Sequence, residues 1–225
     1  MKAKFENLKK KIIGCRKCPR LIQFRNKILN NKRKQYKNEK YWGKPITGFG
    51  DLNGKILFVG LAPAAHGATR TGRIFTGDKS SEFLYKCLYK AKISNKERSD
   101  HLNDGLKLNN AYITAALKCV PPEDKPKKNE LDNCFNFFRQ EIYLLTNLKV
   151  IIALGKIAFD TCLEFYKKEY DISKKIKFGH NEKYTLPDDI LLVGCYHPSP
   201  RNVNTGRINE KKMTHLIKNI LKIVN

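Results

Sequence analysis

A short run of β-formers, Lys55 to Val59, ends abruptly in Gly60-Leu61-Ala62-Pro63-Ala64-Ala65-His66-Gly67. The loop continues through Arg70-Thr71-Gly72-Arg73-Ile74-Phe75-Thr76-Gly77-Asp78, after which Phe83, Leu84, Cys87 and Leu88 recur at helical spacing. This is a strand, a long loop and a helix. Glycines and a proline in such a loop let backbone approach a ligand closely, and the helix start offers unpaired N–H groups to an anionic or polar one.

A second loop of this kind lies near the other end of the chain. Ile190 to Cys195 reads as a strand, and His197-Pro198-Ser199-Pro200-Arg201-Asn202 runs on to Arg207 before a final helix over 208–223. Ala111 to Ala116 and Val150 to Leu154 are two more apolar strands, with amphipathic helices predicted after them. Four apolar strands alternating with helices predict an α/β fold: one three-layer α/β/α domain over residues 1–225 around a four-stranded parallel sheet. In such a sheet the two loops face each other across one crevice at the carboxyl ends of the strands. The segment 167–177 and the turn near 178–183 read as polar excursions.

With 41% apolar residues the chain can build a real core. No stretch is apolar enough for a membrane span and the lysine-studded start lacks an apolar signal core, so an intracellular, monomeric protein is expected. The formal charge is +24, with fifteen Lys or Arg against Glu6 and Glu39 in the first forty residues. That excess points to a polyanion, nucleic acid ahead of a membrane surface. The run 30–40, with Lys32, Arg33, Lys34 and Lys37, has no apolar period and offers phosphate contacts.

Seven cysteines without an export signal argue against a disulfide framework. Cys15 and Cys18 form a CxxC, while Cys119 and Cys134 form a wide second pair a hundred residues on. Spacing alone leaves zinc and an iron–sulfur cluster open. Cys87, Cys162 and Cys195 read as small buried hydrophobes.

The two loops, together with Tyr41-Trp42-Gly43-Lys44-Pro45 and Gly48-Phe49-Gly50-Asp51, resemble the uracil-DNA glycosylase superfamily, and within it family 5, the B type of thermophilic bacteria and archaea. The resemblance implies a monofunctional glycosylase that flips uracil out of DNA and hydrolyses its glycosidic bond. It also implies a [4Fe–4S] cluster on Cys15, Cys18, Cys119 and Cys134, stapling the N-terminal segment to the sheet. His197 would stabilise the leaving base, and Phe75 would be its stacking platform. Gly60, Leu61, Ala62, Pro63 and Ala64 would hold the base through backbone groups. Ser199, Pro200, Arg201 and Asn202 would enter the DNA, and Arg70, Arg73 and Arg207 would clamp phosphates.

Departures from better-known relatives sharpen the expectation. Ala62 and Leu61 stand where others carry water-orienting Asp, Asn or Glu side chains, which leaves Asp78 as the carboxylate of the loop. Ala115 stands where others carry an Asn that reads the uracil edge, so a broader range including hypoxanthine is implied. His66 and Asp124 are further polar residues near these loops that sequence does not place in the pocket. The rival expectation is a non-catalytic iron–sulfur protein that binds nucleic acid.

Overall fold

The computed structural model describes residues 2–170, 172 and 176–224. Part of the polar excursion 167–177 lies outside them. Four strands, β2 (Ile56–Gly60), β3 (Ala111–Ala115), β4 (Val150–Leu154) and β6 (Leu191–Cys195), pair in parallel in the order β3-β2-β4-β6. Each is buried along nearly its whole length, as befits strands covered on both faces.

The sheet is larger than the four strands expected. β1 (Phe49–Gly50) adds to β3 and β5 (Lys183–Thr185) adds to β6, both antiparallel, so it is a mixed six-stranded sheet. Two- and three-residue edge strands carry too few positions for a period to register, and this is why the sequence hid them.

Strand residues alternate between two apolar layers. Ile56, Phe58, Ile113, Ile152 and Val193 face α4 (Lys79–Lys90) and α8 (Glu210–Val224). Leu57, Val59, Tyr112, Ile151 and Leu192 face α1 (Lys2–Ile13), α5 (Lys128–Leu144) and α6 (Lys156–Tyr170). α2 (Pro19–Asn30) begins at Pro19, a residue suited to a first helical turn. It packs Leu21 against Leu117 and Cys134, and Arg20 grips Glu130 of α5 with two bonds of 2.7 and 2.6 Å. The first thirty residues are therefore docked on the sheet and on α5.

A buried ion pair sits beneath the same corner. Lys118 donates to Glu141 and, at 2.8 Å, to the carbonyl of Ala115, while Glu141 accepts from Thr114 Oγ1 at 2.6 Å and from Gly48 N at 3.1 Å. It ties the end of β3 to α5 and to the segment entering β1.

Candidate active site

The chain leaves β2 toward β3 on one side, and later passes from β4 to β6 on the other, so the order reverses beside β2. At the carboxyl ends of these strands lies a cavity of about 350 Å³, a size suited to a small ligand. Leu61, Ala62, Pro63 and Ala64 line it from the β2 end, Phe75 and Asp78 from the rest of that loop, and His197, Ser199 and Pro200 from the β6 end. The two loops do meet across one crevice.

Close packing at two glycines shapes this wall. A Cβ on Gly60 would stand 2.8 Å from the Phe75 ring, so the bare strand end is the seat on which that ring rests. Gly60 pairs with Ala115 in the sheet, and both lie outside the cavity lining. What the structure shows for Gly60 is support beneath Phe75. Phe75 itself takes φ of 47°, a left-handed conformation uncommon for an aromatic residue. A Cβ on Gly67 would collide with the Asp78 carboxylate, so that carboxylate packs directly on the glycine.

Asp78 is the N-cap of α4. Its Oδ1 accepts from Ser81 N at 2.9 Å while Ser81 Oγ accepts from Asp78 N at 3.0 Å. Oδ2 packs against Gly67, outside this capping box. Burial raises the Asp78 pKa, opposed by the N–H groups of Ser81 and Ser80. His197 adjoins Phe75, with ring centroids 6.0 Å apart. Burial lowers its pKa to about 4, so the ring is neutral at physiological pH and keeps one N–H to donate.

The arginines divide. Arg73 is buried, and its guanidinium holds Asp104 at 2.9 and 2.5 Å and Ser99 Oγ at 2.8 Å. Although burial works against the charge, this pair and two backbone N–H groups hold Asp104 well below the usual carboxylate range. No donor is left for DNA, which corrects the phosphate-clamp expectation for Arg73. Arg70 is likewise engaged, by His66 O at 2.7 Å, Gly77 O at 3.0 Å and Glu39 at 2.6 Å. It braces the loop that carries Asp78 and is no free clamp. Asn202 gives its side-chain amide to the His197 carbonyl at 2.9 Å, while Ser199 caps α7 (Pro200–Asn204). Asn202 thus positions the histidine from within, while Arg201 and Arg207 remain exposed.

Cys15, Cys18, Cys119 and Cys134 line a second, smaller cavity under Leu21 and Lys118. Among the described residues no three His, Cys, Asp or Glu side chains converge closely enough to hold a single metal ion. The thiols surround a space instead of meeting at a point. N–H donors are aimed at their sulfurs: Arg25 Nη1 at Cys119 (3.2 Å), Lys118 N at Cys134 (3.5 Å) and Asn133 Nδ2 at Cys18 (3.6 Å). Burial pushes Cys119 up to about 12 and Cys134 to about 11, so as free thiols they are neutral. Arg25 is itself buried, and among the described residues its Nε has no partner and Cys119 is its one side-chain hydrogen-bond partner. A buried guanidinium against neutral thiols is an uncompensated charge, a costly arrangement. The surroundings suit thiolates.

Residues 47–221 match the family model described as the uracil DNA glycosylase superfamily. Among similar proteins, the type-5 uracil-DNA glycosylase of Thermus thermophilus is 39% identical over 206 residues, 92% of this chain and 92% of that one. That of Pyrobaculum aerophilum is 36% identical over 214 residues, 95% of this chain and 91% of its own. The chain belongs to the uracil-DNA glycosylase superfamily, among its type-5 members. The type-4 enzyme of Archaeoglobus fulgidus is more distant, at 24% over 86% of this chain and 81% of that one.

The cavity also contains Asp124, which sequence did not place there. It lines the same space as Asp78 and His197, on a turn where Glu123 and Asp124 have φ of 54° and 55°. Two successive left-handed non-glycine residues are strained. In sequence the only sign was Pro121-Pro122, which stops the preceding segment without revealing where the next residues point. Ile74 and Ser80 also line the cavity, and neither residue type distinguishes itself from ordinary loop filling.

Proposed function

We propose that this chain excises uracil from DNA by hydrolysis, leaving an abasic site, with the base seated in the cavity at the ends of β2 and β6. One observation carries the reading: in a chain of this family, a half-buried carboxylate and a neutral imidazole share one small cavity with an aromatic ring and a wall of backbone. Breaking the bond to deoxyribose develops cationic charge on the sugar and anionic charge on the base. His197 donates a hydrogen bond to the uracil O2 as that charge grows. Being neutral, it makes this bond with the one N–H that it carries. Asp78 Oδ2 faces the sugar, where it orients water and stabilises the cation, while Oδ1 stays on the helix cap. Phe75 stacks the base, and backbone groups of Leu61 to Ala64 meet its edge. Ser199, Pro200, Arg201 and Arg207 hold the DNA, with affinity dominated by phosphates.

Without a reading side chain at Ala62, and with Ala115 outside the cavity lining, shape selects the base, and hypoxanthine is removed beside uracil, more slowly. Cys15, Cys18, Cys119 and Cys134 hold a [4Fe–4S] cluster, supported by the sulfur-directed donors and by Arg25, the cation a net-negative cluster answers. The cluster supplies a structural crosslink and no electrons, since hydrolysis needs none.

The test incubates purified protein with oligonucleotides carrying uracil, hypoxanthine or thymine, followed by alkali. Cleavage at uracil, weaker cleavage at hypoxanthine and none at thymine is expected; binding without any base release would favour a non-catalytic DNA-binding protein. Anaerobically prepared protein should be brown with iron and acid-labile sulfide. Stoichiometric zinc without sulfide would sink the cluster assignment.

A further inference from the structure

The structure brings part of the basic run 30–40 together with His66. A groove of about 470 Å³ adjoins the base cavity and shares Ala64, Asp78 and Asp124 with it. The rest of its wall includes Arg33, Gln35, Tyr36, His66 and Lys79.

The aromatic part of this wall is rigid. Tyr36 and His66 stack with centroids 6.4 Å apart and planes 28° apart, and the Arg70 guanidinium lies 4.0 Å over the Tyr36 ring. The Tyr41 hydroxyl bonds His66 Nδ1 at 2.9 Å, and Arg70 ties the His66 and Gly77 carbonyls together. The pair is therefore clamped to the backbone that carries Asp78. Arg70 covers one face of Tyr36, so what the pair offers a neighbouring base is its remaining ring surface.

The charges of the groove are mostly answered from within. Lys79 pairs with Glu82 at 2.8 Å, Arg70 with Glu39 at 2.6 Å, and Lys32 turns back onto the Glu39 carbonyl at 2.6 Å. Besides the Asp78 carboxylate shared with the base cavity, two charges are left. Asp124 lies on the wall shared with the base cavity, whereas Arg33 is exposed and has no carboxylate partner among the described residues. A phosphodiester in the groove is repelled from the first and drawn to the second.

A DNA strand gives this arrangement a use. With the flipped base in its cavity and C1′ beside Asp78, the backbone continues on both sides. Ser199 and Pro200 border the base cavity on its β6 side, and the groove leaves it through the wall that contains Asp78. We propose that this groove is the subsite for the nucleotide adjoining the excised one, its phosphodiester on Arg33 and its base against the Tyr36–His66 pair. The inference rests on the uracil-excision reading and adds a second jaw, made by the N-terminal basic run, to the His197–Arg207 loop. It also assigns the substrate's reach: full-rate excision needs at least one nucleotide beyond the uracil on the groove side.

Single-turnover excision at limiting protein tests it, using oligonucleotides with one deoxyuridine and one neutral methylphosphonate placed in turn at the two nearest linkages on each side. At one linkage the native protein should lose roughly tenfold, the loss of one charge-assisted contact. Arg33→Gln should lose about as much on ordinary DNA and nothing further at that linkage, while responding normally to the others. Arg33 is exposed and unpaired, so the fold is not at stake. As a second arm, replacing the adjoining nucleotide on that side by an abasic spacer should slow the native protein and leave Tyr36→Ala unaffected. Losses that multiply at every linkage in Arg33→Gln, or a native rate in that variant, would overturn the subsite. Native protein that releases no uracil at all would instead overturn the reading on which it rests.

Discussion

Asp78 has two duties that different substitutions separate. Asparagine caps a helix about as well as aspartate, whereas alanine at an N-cap costs about 0.5 to 2 kcal/mol. Asp78→Asn should therefore keep the bond from Ser81 N and remove a charge held in a half-buried position. Its folded pKa lies above the unfolded one, so the native acid form is favoured. The stability this confers is complete below the unfolded pKa and is lost as pH rises through the folded one. Relative to the native protein, Asp78→Asn should thus gain stability as pH rises from acid to neutral. Catalysis should move the other way. Loss of one electrostatic group in a transition state costs about ten- to a thousandfold, or about 1.4 to 4 kcal/mol. Asp78→Asn and Asp78→Ala should share that loss in single-turnover excision, while thermal unfolding at pH 7 should find only the alanine variant destabilised. Native excision by Asp78→Asn, or equal destabilisation of the two variants, would refute the division of labour between Oδ1 and Oδ2.

His197→Ala should lower single-turnover excision by about ten- to a thousandfold with DNA binding retained. Because its pKa is depressed to about 4, the native rate should show no titration near the ordinary histidine value. Gly60→Ala should push the Phe75 ring into the cavity and cost up to about a hundredfold in excision, a displacement of the order of 1 Å being enough; an unchanged rate would show that the ring is not a platform. Arg73→Ala should destabilise the fold by about 3 to 5 kcal/mol by stranding Asp104, with the salt dependence of DNA binding unchanged, whereas Arg201→Gln or Arg207→Gln should reduce that slope by about one unit and leave stability alone.

The central strands and the two loops were legible because buried parallel strands read as unbroken apolar runs, and 55–59 and 190–195 are such runs. The facing of Asp78 and His197 followed from that topology. Side-chain destinations did not. A charged residue in a glycine-rich loop reads as surface, yet Arg73 finds its counter-charge at Asp104, thirty-one residues away, through an excursion that has no period. Ala115 and Gly60 are neighbours only through strand register, and the seat that Gly60 gives Phe75 is invisible until the sheet is assembled. Asp124 depends on two left-handed residues that no local pattern announces.

The docking of the first thirty residues onto α5 has a consequence for synthesis. The partners of Arg20 and of Leu21 lie about a hundred positions further along the chain, at Glu130, Leu117 and Cys134. At about 5 to 20 residues per second the ribosome needs on the order of ten seconds to reach them after the N-terminal helices have emerged. For that interval Phe5, Leu8, Ile12 and Leu21 have no native surface to cover them, and the Cys15–Cys18 pair stands apart from its other two thiols. A nascent chain arrested before residue 130 should accordingly be captured by chaperones and alkylated readily at Cys15 and Cys18, and one released after α5 should be resistant to both.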